Sequence, residues 1–342
     1  MPEQRFVVVR LGSLGDIVHT FPAVAALRES FRNAEIVWIT HPRWESLVES
    51  SGIASEIWPV DSRVLHSVGQ TIRRIWQSPW DAAIDYQGLW KSALLPFLGG
   101  VKRRIGFSSQ TIREFGVPIL YTDSVECAAV HIAQQNGELS RRAGARNLTA
   151  PFHLRIAETD HAEVRSYLQS AGIARYIVLS PGGGWRSKCW PPERFGALAR
   201  LIRKSLGLRC VVNTGPGEDD LAAALRTASG DAEPLFYNAA LGPLMALLCS
   251  AACIVGGDTG PLHLAIALGT PAVALFGPTD PARNGPYHCG HTAGSTFGDD
   301  IVLRAPGGPT SHKRNDRTAD SMLAIDVDSV FTAVRRRTGA VA

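Results

Sequence analysis

Three runs of glycine and polar residues each stand between a β-branched segment and an apolar helical one, with residue types that hold or deprotonate a ligand. The first reads Arg10-Leu11-Gly12-Ser13-Leu14-Gly15-Asp16 and puts a carboxylate at the start of a helix. There Asp16 either caps backbone amides, for about 1 kcal/mol, or faces a ligand at the carboxyl edge of a sheet. The second reads Ser180-Pro181-Gly182-Gly183-Gly184-Trp185-Arg186-Ser187-Lys188-Cys189-Trp190-Pro191. Its successive glycines let backbone amides approach a ligand closely. Lys188 adds a point charge suited to phosphate, although a surface lysine beside a glycine loop is the plainer reading. The third, Gly256-Gly257-Asp258-Thr259-Gly260-Pro261-Leu262-His263, runs into an apolar helix whose first-turn amides would point at an anion. A phosphate there gains a few tenths to about 2 kcal/mol from the helix dipole. Asp258 is expected as the N-cap, with Pro261 in the first turn. A cap explains neither His263 nor the next turn, Phe276-Gly277-Pro278-Thr279-Asp280-Pro281.

These motifs also exclude. Gly12 and Gly15 give Gly-x-x-Gly rather than Gly-x-Gly-x-x-Gly, which disfavours a hydride-transferring dinucleotide enzyme, and no Walker pattern surrounds Lys188. No Asp-x-Asp pair follows a strand; Asp219-Asp220 and Asp299-Asp300 are adjacent and read as loop or helix-start acids. His288, Cys289, His291 and His312 match no zinc spacing, so neither a metal nor a cofactor is expected.

Alternating strand and helix patterns must position these turns. Strands are expected at 6–9, 36–40, 57–60 and 82–85, with helices over 17–31, 42–50, 64–77 and 89–98. Near residues 144–160 the pattern lapses. A second series then gives strands at 176–179, 210–214, 253–255 and 272–276, with helices at 160–171, 193–205, 219–228, 243–250 and 261–268. Buried strands alternating with helices predict an α/β chain of two Rossmann-like, doubly wound domains. The expected divisions are 1–150, 151–325 and 326–342, the last holding a closing helix over 327–337. Residues 277–325, rich in Gly and Pro, exceed an ordinary connection and read as partly mobile loop.

The chain has 342 residues, 45% hydrophobic and 19% charged, enough for two cores and folded throughout. A net charge of +4 is too small for a nucleic-acid binder, so no nucleic-acid partner is expected. Between Arg63 and Arg113, however, eight Lys or Arg face only Asp81 and Asp85, with Trp76, Trp80 and Trp90 among them. This is either a solvated helix face or a site for an anionic or membrane-borne partner. The cysteines include no Cys-x-x-Cys pair, as expected of reduced thiols in the cytoplasm. No signal peptide or apolar span of 18 residues is legible, so any contact with a membrane would be peripheral.

Taken together, Gly12–Asp16 followed by His19-Thr20-Phe21-Pro22-Ala23, the segment Asp85-Tyr86-Gln87-Gly88-Leu89-Trp90-Lys91-Ser92, Lys188–Pro191, and Asp258–Ala265 with Phe276–Pro281 resemble the bacterial ADP-heptose:lipopolysaccharide heptosyltransferases of glycosyltransferase family 9. The Gln-Gly-Leu-x-Lys-Ser form is closer to heptosyltransferase I than to heptosyltransferase II. The resemblance implies a GT-B fold, two domains facing across a cleft, and inverting transfer of heptose from ADP-heptose to a Kdo-lipid A acceptor at the inner face of the inner membrane, without a metal. It implies that Asp16 is the general base, and that Gly183, Lys188, Thr259 and Gly260 cradle the donor diphosphate. Asp258 and His263 would lie near the donor sugar and phosphates, and Glu218 near the nucleoside. Ser13, Gly15, Gln87, Lys91, Arg113 and His131 would face the acceptor, although a solitary histidine in a helix is also an ordinary structural residue. Two other readings share the architecture: a nucleotide-sugar epimerase, and a nucleotide-sugar-binding protein without catalysis.

Overall fold

The structure, a computed structural model, describes residues 4–112, 114–288, 300–305 and 317–339. The chain divides into two units, Met1–Arg155 and Ile156–Ala342. In the first unit the strands are β1 (Arg5–Val9), β2 (Glu35–Thr40), β3 (Glu56–Pro59), β4 (Ala82–Asp85), β5 (Arg104–Phe107) and β6 (Asp123–Val125). They form one parallel sheet in the order β3-β2-β1-β4-β5-β6. The second unit repeats the plan with β7 (Tyr176–Ser180), β8 (Arg209–Asn213), β9 (Leu235–Tyr237), β10 (Cys253–Gly257), β11 (Ala272–Phe276) and β12 (Ile301–Arg304), in the order β12-β11-β10-β7-β8-β9. Each sheet therefore starts in its middle and reverses its winding beside its first strand. The two turns that flank that reversal have no crossover helix above them, and such switch points are where ligands bind.

The strands are apolar because helices cover both faces of each sheet. On one face of the first sheet Val7, Val9, Val37, Ile39 and Ala83 pack with Ile75 and Leu95, which come from the helices Leu65–Trp76 and Trp90–Leu98. In the second unit Ile177, Leu179, Val212, Val255 and Leu275 pack beneath the helix Pro192–Leu206 and the closing helix Val327–Arg337. Trp190 is buried at that junction and donates its indole N–H to the Ile325 carbonyl at 2.9 Å. The closing helix thus belongs to the second unit's core.

Two sequence expectations differ from the structure. The helix expected over 17–31 is broken into Leu14–Val18 and Phe21–Ser30. Pro22 sits in the first turn of the second helix, lacks an N–H and cannot continue a helix from the turn before. The strands β5, β6, β9 and β12, of three or four residues each, were not expected: polar or glycine residues break β5 and β6, and β9 and β12 stand outside the alternating pattern. Of the stretch 277–325, the described part holds the short helices Pro281–Asn284 and Asp320–Leu323 as well as β12. Cys289, His291, Asp299 and His312 lie outside the described residues.

Candidate functional site

In the first unit, the turn after β1 and the turn after β4 meet at the switch point. Gly12 has a φ of +153°, and a side chain there would come within 2.9 Å of the Trp44 indole nitrogen, so the tight turn requires glycine. Ser13 is the N-cap of the helix Leu14–Val18, and Gly15 is buried within it. Asp16 accepts from the Ser13 amide at 2.9 Å and the Ser13 hydroxyl at 3.0 Å through Oδ2. Its Oδ1 pairs with Arg10 Nη2 at 2.7 Å, the arginine side chain being 5% exposed and the carboxylate 43%. Arg10 is held in turn by the carbonyl of Tyr86. Asp16 therefore does the capping work foreseen for it, and a buried guanidinium also fixes the direction of its exposed carboxylate.

The turn after β4 depends on a second carboxylate. Asp85, 1% exposed, accepts from the amides of Gln87 (2.9 Å) and Gly88 (3.2 Å), the Ser92 hydroxyl (2.9 Å) and the Tyr121 hydroxyl (2.7 Å). Burial pushes its carboxyl above the ordinary range, and these four bonds oppose the shift only in part. The loop so pinned returns Gln87 to the first turn, where its Oε1 accepts from the amides of Leu11 (3.0 Å) and Gly12 (3.3 Å). Gln87, expected to face the acceptor, thus holds the glycine turn in place through its side-chain oxygen. Lys91 is exposed in the first turn of the helix Trp90–Leu98. His131 caps the helix Ile132–Ala143, accepting from the Ala133 amide at 3.2 Å, and meets His19 edge to face at 5.4 Å. Arg113 lies outside the described residues.

In the second unit the turns after β7 and β10 converge. Asp258 is not the N-cap of the helix Gly260–Ala267; Thr259 is, and it makes no side-chain cap bond. The Asp258 carboxylate is turned inward instead, to Lys188 Nζ at 2.7 Å and His263 Nε2 at 2.9 Å, with side-chain exposures of 5%, 14% and 5%. Burial alone would raise its carboxyl, but the bond and charge of His263 and the ammonium of Lys188 outweigh burial and hold it well below the carboxylate range. Lys188 also lies over the Trp185 ring, 4.3 Å from its centre. Gly183 packs between Cys189 and Thr259. A side chain at Gly182 would run into the Glu218 carboxylate, whose Oε2 accepts from the Gly215 amide at 2.7 Å. Glu218, Lys188, Gly183, Thr259 and Gly260 therefore share one sheet edge. Three buried hydroxyls of this edge, on Ser187, Thr259 and Thr279, have no hydrogen-bond partner among the described residues. Buried polar atoms are normally satisfied, and hydroxyls beside a lysine and an uncapped helix start suit an oxyanion.

Arg10, Asp85, Ser92, Tyr121 and His19 are the contributors that the sequence did not single out. All but Tyr121 stood within quoted motifs, but Arg10 is held by a carbonyl 76 residues away and Asp85 by a hydroxyl 36 residues away. Part of the cationic surplus also proves structural. Arg103 and Arg142 share Asp123, Arg104 binds the Leu120 carbonyl, and Arg74 pairs with Glu56.

Replacing Asp258 by Asn leaves the Lys188 ammonium without its counter-charge in a mostly buried place, a loss of about 3 kcal/mol. Because the folded carboxyl titrates below its unfolded value, this contribution is complete above about pH 4 and declines as pH falls further. Urea unfolding of wild type and Asp258→Asn is expected to show a constant difference between pH 5 and 7 that shrinks below pH 4. An equal difference at every pH would mean that charge is not what Asp258 contributes.

Residues 68–296 match the family model described as glycosyltransferase family 9 (heptosyltransferase); Lys188, Glu218 and His263 fall inside the match and Asp16 before it. The lipopolysaccharide heptosyltransferase 1 of an Escherichia coli strain is 28% identical over 322 residues, covering 90% of this chain and 93% of that protein. A family 9 glycosyl transferase structure from Veillonella parvula superposes with a TM-score of 0.82 at 21% identity, covering 99% of this chain and 98% of that one. The ADP-heptose lipopolysaccharide heptosyltransferase II structure from Escherichia coli gives a TM-score of 0.80 at 18% identity over 98% of each chain. The structural likenesses establish the GT-B fold, and the family match, over more than half of the sequence, makes this chain a glycosyltransferase that belongs to glycosyltransferase family 9 (heptosyltransferase).

Proposed function

We propose that the protein transfers a heptose from ADP-L-glycero-D-manno-heptose to a Kdo-lipid A type inner core of lipopolysaccharide, with inversion, as a heptosyltransferase I-like enzyme on the inner face of the inner membrane. The observation that carries this reading is the second unit's oxyanion cradle: Lys188 braced by Asp258 beside the uncapped start of the helix Gly260–Ala267. A nucleoside diphosphate suits that cradle, because its charge needs both a cation and amides. The sugar and the acceptor are drawn from the family and from the lipopolysaccharide heptosyltransferase 1 relative.

In the proposed step the acceptor hydroxyl oxygen forms a bond to the anomeric carbon as the carbon–oxygen bond to the diphosphate breaks, and ADP leaves with the electron pair. Asp16 takes the hydroxyl proton. Its carboxylate is exposed enough to be reached, and Arg10 and Ser13 hold its direction. The charge that develops on the leaving phosphate is met by Lys188, the Thr259 hydroxyl and the first-turn amides, which is transition-state stabilisation by groups already in place. One carboxylate and a good leaving group need no covalent enzyme intermediate. Gly183 and Glu218 line the donor's place, Asp258 and His263 orient Lys188, and Ser13, Gly15 and Lys91 face the acceptor. Gln87 and His131 act by positioning backbone.

Asp16→Asn keeps the cap and is expected to lower kcat by about 10²–10⁴-fold with ADP-heptose and acceptor, leaving donor affinity nearly unchanged. Activity within threefold of wild type, a range far below that loss, would remove Asp16 as the base. Lys188→Ala is expected to reduce kcat more than donor affinity, since its charge matters most as the leaving group forms. Unchanged turnover with much weaker donor binding would assign Lys188 to ground-state binding instead.

A further inference from the structure

Several large apolar side chains of the first unit stand in solvent on three neighbouring segments. The end of the helix Leu65–Trp76 carries Trp76, 73% exposed, and the helix Trp90–Leu98 carries Trp90, Phe97 and Leu98. The segment that follows Glu114 carries Phe115, 99% exposed, and Ile119, 80% exposed. These segments touch. The Trp76 indole lies over Gly100, two residues beyond Leu98, and the Trp90 ring lies over Gly116. The Glu114 carboxylate accepts from the Trp90 amide at 2.8 Å. Positions 90, 97 and 98 fall on one side of their helix, since seven or eight residues complete two turns. None of these residues serves the switch-point turns, and exposed apolar surface on this scale marks an interaction site.

The charges around it narrow the partner. Arg73, Lys91 and Lys102 are exposed and carry no ion pair among the described residues, and the Arg104 guanidinium stands 5.3 Å above the Phe97 ring. Aromatic and aliphatic side chains ringed by Lys and Arg are what an anionic bilayer surface accepts: the rings enter the headgroup layer and the cations meet lipid phosphates. A second copy of this chain fits less well, because a two-fold contact would set the cationic rim against itself.

We infer that this face of the first unit, centred on Trp76, Trp90, Phe97, Leu98, Phe115 and Ile119, docks the protein onto anionic lipid. The inference rests on the proposed lipid-borne acceptor only for its purpose. Docking is read without donor or acceptor, so its failure and a failure of the transfer reading are distinguishable.

The test is co-sedimentation of the whole chain with vesicles of phosphatidylcholine alone or mixed in equal parts with phosphatidylglycerol. Wild type is expected to bind the anionic vesicles, to bind them less as salt is raised, and to bind the neutral ones far more weakly. Trp76→Ser/Phe115→Ser, at two solvent-exposed positions, is expected to weaken anionic binding by at least about tenfold, since each lost ring removes more than 1 kcal/mol of apolar burial. The single variant Phe115→Ser, at a wholly exposed position, reports the same direction should the double variant fold poorly. Absence of wild-type binding to anionic vesicles, or variant binding as tight as wild type, would overturn the proposal. So would a wild-type dimer in light scattering that the variants dissolve, which would assign the face to a second copy.

Discussion

A carboxylate taken out of water at the end of the fourth strand organises each unit. Asp85 closes β4 and Asp258 follows β10, the same place in the two repeated sheets. A buried carboxylate must find donors or a cation, and the two sites solve this differently. Asp85 is met by two amides and two hydroxyls, and burial wins, raising its carboxyl. Asp258 is met by an ammonium and an imidazole, and the partners win, lowering it. The first solution stiffens backbone, because the amides of Gln87 and Gly88 are what Asp85 binds, and Gln87 then holds Leu11 and Gly12. The second fixes a cation at the mouth of a helix.

This division matches what each half of a group transfer needs. A hydroxyl must be aligned and deprotonated, which calls for an exposed carboxylate of fixed direction on a rigid turn; Asp16, Arg10 and the loop pinned by Asp85 have that form. A departing diphosphate needs positive charge already in position, and Lys188 pays little to reorganise because Asp258 has it placed beforehand. The exposed apolar face around Trp76 and Phe115 belongs to neither network. It lies on the first unit, the one that carries the acceptor-facing residues of the proposed transfer.

Much of this was legible in residue order. The central strands show as runs of Val and Ile, the glycine turns mark their ends, and the closing helix Val327–Arg337 has the expected bounds. The strands β5, β6, β9 and β12 were not legible, because Arg104 and Gly106 interrupt β5, Asp123 and Ser124 open β6, β9 has only three residues and β12 lies in Gly- and Pro-rich sequence, so their pairing is decided by neighbours far along the chain. Local rules also misjudged Asp258. Its spacing before Pro261 is that of an N-cap, but Lys188, 70 residues earlier, competes for the carboxylate and an ion pair outweighs a cap. Arg10 reads only as the first residue of the turn after a strand until Asp16 and the Tyr86 carbonyl close around it. Family likeness supplied what spacing could not, namely the sugar and the acceptor.

The proposed transfer of a heptose from a nucleotide donor to a lipid core is tested by mass spectrometry of wild-type reactions with ADP-heptose, run with and without a Kdo-lipid A acceptor. One heptose is expected on the acceptor with release of ADP, and the donor is expected intact when acceptor is omitted. An isomerised donor sugar in the absence of acceptor, or bound donor with no product on any acceptor, would contradict this transfer.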